Sequence, residues 1–248
     1  ASGLMLWQCG ALERGVSRIN EALELARAID HPFSIAYALY HSGLIAINRG
    51  RFAECLENAR ELAEISDAND YPLWATLAKL LEGVAISGLG KADEGLALTE
   101  AAVDLYQGLT PPPVFWPFIL MLRSAVHAMA GEPDRAIELL DEAVAATGSP
   151  DTAPPDLRVL KADILRMLPE PDLETAETLY LEVIEAAGAA GFHLTVLTAS
   201  TRLVTLRREL GLTPDGSDEL ATVYQAFTEG YDERDLVAAR DVLGGAPV

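Results

Sequence analysis

A small residue returns at Gly15, Cys55, Gly95, Ala136 and Ala176, at intervals of 40, 40, 41 and 40 residues. Three other classes of position keep the same beat. Ala22, Leu62, Ala102, Ala143 and Val183 form one row, Pro32, Pro72 and Pro112 a second, and Gly10, Gly50, Gly90 and Gly131 a third. A period of this length means stacked supersecondary units, each too small to bury its own apolar face. Between the punctuating residues the apolar positions recur every three or four residues. Alternation by twos, the mark of a strand, never persists.

Each unit therefore reads as helix A, a short turn and helix B. Pro32 fits the first turn of a helix, where its missing N–H is not needed. Helix A then runs from about Phe33 to Asn48, Gly50 ends it, and helix B covers roughly Phe52 to Asp67. The next pairs are expected at Pro72 to Leu89 with Lys91 to Tyr106, then after Pro111-Pro112-Pro113 to Ala130 with Pro133 to Thr147. A fifth pair is expected at Asp156 to Leu168 with Leu173 to Ala187, and a further A helix at Thr195 to Leu210. Leu4 to Gln8 reads as the stump of the first. The expected fold is an all-α, right-handed α-solenoid of about six antiparallel helix pairs. Residues 1–210 are the repeats and 211–248 the capping helices. The recurring small residue is expected where helices A and B cross, so that Gly95→Leu should be strongly destabilising.

Composition narrows the function. The net charge of −20 argues against direct nucleic-acid binding, which needs clustered Lys and Arg. The carboxylates gather in rows such as Glu54, Glu57, Glu61 and Glu64, or Asp134, Glu138, Asp141 and Glu142, the pattern of solvated helix faces. No apolar run reaches the roughly 20 residues of a membrane span, and no signal-peptide pattern opens the chain. Residues Ala1 to Gly10 read like the middle of something, a fragment of a longer protein. Cys9 and Cys55 lack metal-type spacing and read as structural thiols, which implies a reducing cytoplasm.

The slots Gly43, Gly50, Phe52 and Cys55 resemble the tetratricopeptide repeat, as do Gly83, Gly90, Ala92 and Gly95 and, more loosely, Ser124, Gly131, Pro133 and Ala136. The period departs from the family, whose unit is about 34 residues; HEAT-type repeats are the architectural alternative. The closing residues Val223-Tyr224-Gln225-Ala226-Phe227-Thr228-Glu229-Gly230-Tyr231-Asp232, then Asp235-Leu236-Val237-Ala238-Ala239-Arg240, resemble the C-terminal repeat region of bacterial multidomain regulators. Those proteins join a nucleotide cyclase, an AAA-type ATPase and a helical-repeat tail. The resemblance implies a non-catalytic regulatory module of a larger signalling protein. The same segment reads as a cap: Ser217, Asp218 and Glu219 suit a helix N-terminus, Gly230 a stop and Asp232 the next start. Phe227, Tyr231, Leu236 and Leu243 are expected to cover the last apolar face.

Other motifs dissolve. Gly83-Val84-Ala85-Ile86-Ser87-Gly88, followed by Leu89-Gly90-Lys91-Ala92, lacks the Gly-Lys-Ser/Thr order of a phosphate loop and a preceding strand. His31, His41, His127 and His193 share no ligand spacing, and Asp215 to Glu219 is too short for a calcium loop. No catalytic residue, cofactor or metal site is expected. What remains is a surface. The A helices carry Phe33, Tyr37, Tyr40, Trp74, Phe115, Trp116 and Phe118, and aromatics and Arg are favoured at binding hot spots. The expected exposed groove positions are Tyr37, Tyr40, His41, Trp74, Trp116 and Arg123. The expected partner is a protein or peptide, or another domain of the parent chain. A metabolite in the groove and a homodimer are the alternatives.

Overall fold

The computed structural model describes residues 2–109, 115–148 and 153–244, and these contain thirteen α-helices and no strand. The chain divides into two compact units, one of residues 16–153 and one of residues 2–15 with 154–248. Within the first, α2 (Leu12–Ala28) carries helix B of the opening pair. Then come α3 (Pro32–Asn48) with α4 (Phe52–Ala68), α5 (Pro72–Gly88) with α6 (Ala92–Gln107), and α7 (Trp116–Met129) with α8 (Pro133–Ala146). Helices α3, α5 and α7 each pack on their own B helix, and α5 packs on both α3 and α7. The expected start of the fourth helix A, at Pro111-Pro112-Pro113, lies outside the described residues.

The turns follow from the sequence. Gly50 has φ 70°, and the Gly50 and Arg51 amides donate to the Ile47 and Ala46 carbonyls at 2.9 and 2.8 Å, closing α3 with two of its otherwise orphaned acceptors. The turn from helix B to the next helix A uses the same left-handed conformation, but Asp30 (φ 50°) and Asp70 (φ 55°) occupy it. Aspartate is among the few side chains that tolerate that region.

The small-residue row lies where the helices cross. A β-carbon on Gly95 of α6 would sit 2.4 Å from the Gly83 carbonyl oxygen of α5, and one on Gly83 would sit 2.8 Å from the Gly95 oxygen. Cys55, Ala136 and Ala176 are completely buried in the same slot. The Ser124 hydroxyl donates to the Ala136 carbonyl at 2.7 Å, tying α7 to α8. The second row is buried at Leu62, Ala102, Ala143 and Val183, whereas Ala22 is exposed and departs from the expected pattern. The acidic rows of α4 and α8 face solvent or its margin as expected.

The second unit contains α1 (Ser2–Gln8), the first residues of α2, α9 (Pro155–Leu165), α10 (Leu173–Ala190), α11 (His193–Glu209), α12 (Ser217–Gln225) and α13 (Arg234–Val242). Here α1 repeats the crossing of the other pairs: a β-carbon on Gly15 would lie 2.8 Å from the Gly3 oxygen. Gly3 thus belongs to the beat, 40 residues before Gly43. The closing segment does more than cover α11. Phe227 is buried, and it and Gly230 pack on the opening turn of the chain; β-carbons on Gly10 and Gly230 would reach Phe227 and Leu12 at 3.0 and 2.6 Å. The Gly230 amide donates to Glu13 at 3.1 Å, and Arg14 pairs with Glu229 at 3.4 Å.

Four details of the expected cap are corrected. Ser217 does not cap α12: the left-handed Gly216 holds the N-cap position without a side chain, and Asp215 before it accepts from the Ser217 amide at 3.0 Å. That helix ends at Gln225, before Gly230, and Glu233 rather than Asp232 precedes α13. Leu236 is buried with Phe227, but Tyr231 stays exposed, its hydroxyl donating to the Phe227 carbonyl.

Candidate partner-binding face

Helix α3 contains no Asp, Glu, Lys or Arg along its 17 residues, so nothing but helical register decides which of its faces meets solvent. His31 caps it, Nδ1 accepting from the Ser34 amide at 3.3 Å, and Pro32 follows in the first turn. Phe33 and Tyr37, one turn apart, emerge on the same side and are 47% and 39% exposed. Their rings rest edge-on against Trp74 of α5, with centroids 5.7 and 5.9 Å away, and Phe33 also meets Tyr71 at 5.8 Å. Edge-to-face pairs of this kind hold rings in place beyond what burial alone supplies.

The cluster corrects two expectations. Tyr40 and Trp74 are not exposed groove residues: they are 3% and 6% accessible and form the floor on which Phe33, Tyr37 and His41 stand. Tyr40 is the inward neighbour of Tyr37 on its helix, and Trp74 lies between two A helices that pack directly, so register buries both. Burial, reinforced by the nearby Tyr106, pushes the Tyr40 phenol above its ordinary range and keeps it neutral. His41 is half-buried and stacks on Tyr37 at 4.3 Å. Burial lowers its pKa, against the opposing effect of the Tyr37 carbonyl 2.8 Å from Nδ1.

Farther along the A-helix row, Trp116 is half-buried and stacks on the buried Tyr106 at 5.6 Å with the rings nearly parallel. Arg123 of α7 makes a two-pronged pair with Glu100 of α6 at 2.6 and 2.5 Å. The buried His127 continues the chain, Nε2 facing Glu100 at 3.1 Å and Nδ1 facing Glu132 at 2.7 Å. Burial alone would raise the Glu100 carboxyl; Arg123 and then His127 override it and hold it below the ordinary carboxylate range. Five of the six expected positions thus lie on α3, α5 or the start of α7, but only Tyr37 is well exposed, and Arg123 is engaged rather than free.

The second unit holds recessed acids that in the sequence look like ordinary helix starts. Asp156 accepts from the Thr195 hydroxyl at 2.9 Å and Gln8 at 3.3 Å, and burial raises its pKa. Burial does the same to Asp235, which also receives a hydrogen bond from Thr198. The residues keep partial exposure while their carboxylates are closely surrounded. Periodicity offers no sign of this, because both acids occupy ordinary first-turn positions.

Among the described residues no group of three or more His, Cys, Asp and Glu side chains is placed to hold a metal ion. The apparent phosphate loop is helix: Gly83 and Gly88 lie within α5, and Gly83 is the crossing residue described above. No helix of the described residues is long and apolar enough to cross a membrane.

No family model matches the sequence, and no curated protein does. Solved structures match its shape. The Rap conjugation gene regulator of the plasmid pLS20, in complex with a Phr peptide, aligns with a TM-score of 0.62 at 16% identity, over 97% of this chain and 69% of that one. The apo form of RapI aligns with a TM-score of 0.58 at 12% identity, over 98% and 82%. BtubC from P. vanneervenii aligns with a TM-score of 0.51 at 16% identity, over 79% and 83%. At these identities the likeness establishes the fold: an all-α helical repeat of the tetratricopeptide-like kind.

Proposed function

We propose that this chain is a non-catalytic interaction module that receives a peptide or protein segment on the A-helix face of residues 16–153. One observation carries the reading: Phe33 and Tyr37 stand exposed on a fixed aromatic floor, along a helix with no charged residue. Exposed aromatics that cannot collapse inward keep their contact area for a partner at little conformational cost. His41, Trp116 and the anchored Arg123 extend the face, with Tyr40 and Trp74 supporting it from below. The tetratricopeptide-like fold agrees with this use, and one structure of similar shape was solved with a bound peptide.

The resemblance of residues 223–240 to the tail of cyclase and ATPase regulators supports a place for the chain in a larger signalling protein of the bacterial cytoplasm. There a segment of the same protein, or a separate partner, would occupy the face and alter how the repeats stack. The two alternatives, metabolite binding and homodimerisation, give different results in one experiment. Peptides selected from a random library against the chain, then titrated calorimetrically, are expected to bind one per chain while light scattering reports a monomer. Failure of the library to yield any saturable binder, or a stable dimer that excludes the peptides, would overturn the reading.

A further inference from the structure

Resting on the interaction-module reading, we infer that the Phe33–Tyr37 strip takes a segment whose apolar or aromatic anchors are flanked by basic residues. The strip itself offers rings and no charge, so the anchors must be apolar: Phe33 and Tyr37 project from an uncharged helix, with Trp74 beneath and Tyr71 at the edge. Its border supplies the sign of the flanks. Two turns from helix B to helix A border Phe33, the one that leads into its own helix and the one that leads into Tyr71, whose ring it meets. Each carries an exposed aspartate, Asp30 three residues before Phe33 and Asp70 directly before Tyr71. Asp67, one turn before Asp70, is exposed as well.

The nearest cation on the opening helix does not offset them. Arg27, in the last turn of α2, is already held by Glu61 through contacts of 2.7 and 2.8 Å. The strip is therefore an apolar island with an acidic rim on a molecule of net charge −20. A segment with acidic flanks meets like charge on approach; one with Lys or Arg flanks is steered in and fixed in register. Rim pairs of this kind act mainly on association and are screened by salt, because the Debye length is about 8 Å at physiological ionic strength.

The test uses the full chain and a fluorescein-labelled synthetic peptide of twelve residues, with Leu and Phe anchors at helical spacing and two Lys at each end. Fluorescence anisotropy is read for this peptide, for a version with Glu in place of every Lys, and for one with Ser in place of the anchors. The Lys peptide should bind saturably, and both altered peptides at least about tenfold more weakly. Phe33→Ala and Tyr37→Ala should each weaken it about tenfold, with helical content unchanged because both rings are surface-exposed. The double variant D30N/D70N keeps the left-handed turns, which Asn accepts, and should lose about threefold in affinity together with part of the salt dependence. Equal or tighter binding of the Glu peptide, or full affinity in the Phe33 and Tyr37 variants, would overturn the inference while leaving an interaction module elsewhere on the chain. Absence of saturable binding by the Lys peptide would overturn it too.

Discussion

Replacing Gly95 by alanine tests the packing on which the fold depends. On helix propensity alone the change should stabilise α6 by about 1 kcal/mol. The crossing opposes it: the new methyl would lie 2.0 Å from the Ser87 hydroxyl, 2.4 Å from the Gly83 oxygen and 2.7 Å from the Ser87 amide nitrogen. The hydroxyl can rotate away, but the other two atoms are backbone, so relief requires α5 and α6 to separate by close to an ångström. A radial gap of that size forfeits roughly a quarter to a half of each contact along the seam. Overpacking a filled core costs about 1–3 kcal/mol, occasionally more. With two unyielding backbone contacts the cost lies at the upper end of that range, and the propensity gain of about 1 kcal/mol is set against it. We expect a net loss of about 1–2 kcal/mol in urea unfolding followed by circular dichroism, and a fall in Tm of roughly 2–8 °C for a chain of this size. Gly188→Ala is the matched control. It lies in α10, where the nearest described atom, Cγ2 of Val196, is 4.0 Å from the added carbon, so propensity should win and the variant gain about 0.5–1 kcal/mol. A G95A protein as stable as the wild type would refute the reasoning.

Cys55 is buried, and burial, then the neighbouring Glu54, pushes its thiol up to about 12, whereas Cys9 is exposed. Ellman's reagent at pH 8 should therefore titrate one thiol per native chain and the second only on unfolding. The raised pKa of Asp156 makes the folded chain bind a proton more readily than the unfolded one, so this residue's contribution to stability falls as pH rises from the ordinary carboxylate range through its folded value. Asp156→Asn keeps the acceptor for Thr195, and its amide can donate to a flipped Gln8. It should match or exceed wild-type stability at pH 7, with the advantage shrinking toward pH 4; an equal loss at both pH values would contradict the assignment.

Much of the architecture is legible in the sequence because helix-breaking residues and crossing residues obey strict local physics. Gly50 and Gly90 mark turns through backbone conformation, and Gly95 marks a crossing through the absence of a side chain. Asp30 and Asp70 hold the same conformation without announcing it, since aspartate is common wherever a loop meets water. The exposure of the aromatics is another matter. Nine residues of α3 are buried, so an apolar helix of this kind faces neighbours on most sides, and periodicity cannot distinguish Tyr37 from Tyr40. Only the placement of α5 does. The closing segment shows the same limit: Phe227 and Gly230 read as a cap, but their approach to Gly10 and to Leu12 and Glu13, respectively, spans more than 200 residues of sequence, beyond any local pattern.

If the A-helix face around Phe33 and Tyr37 receives the partner, hydrogen–deuterium exchange of the full chain, with and without a library-selected peptide, will locate the contact there. Protection should appear in segments covering residues 32–48 and 71–88, with α4, α6 and α8 little changed. Protection confined to the B helices, leaving those two segments unaltered, would contradict it.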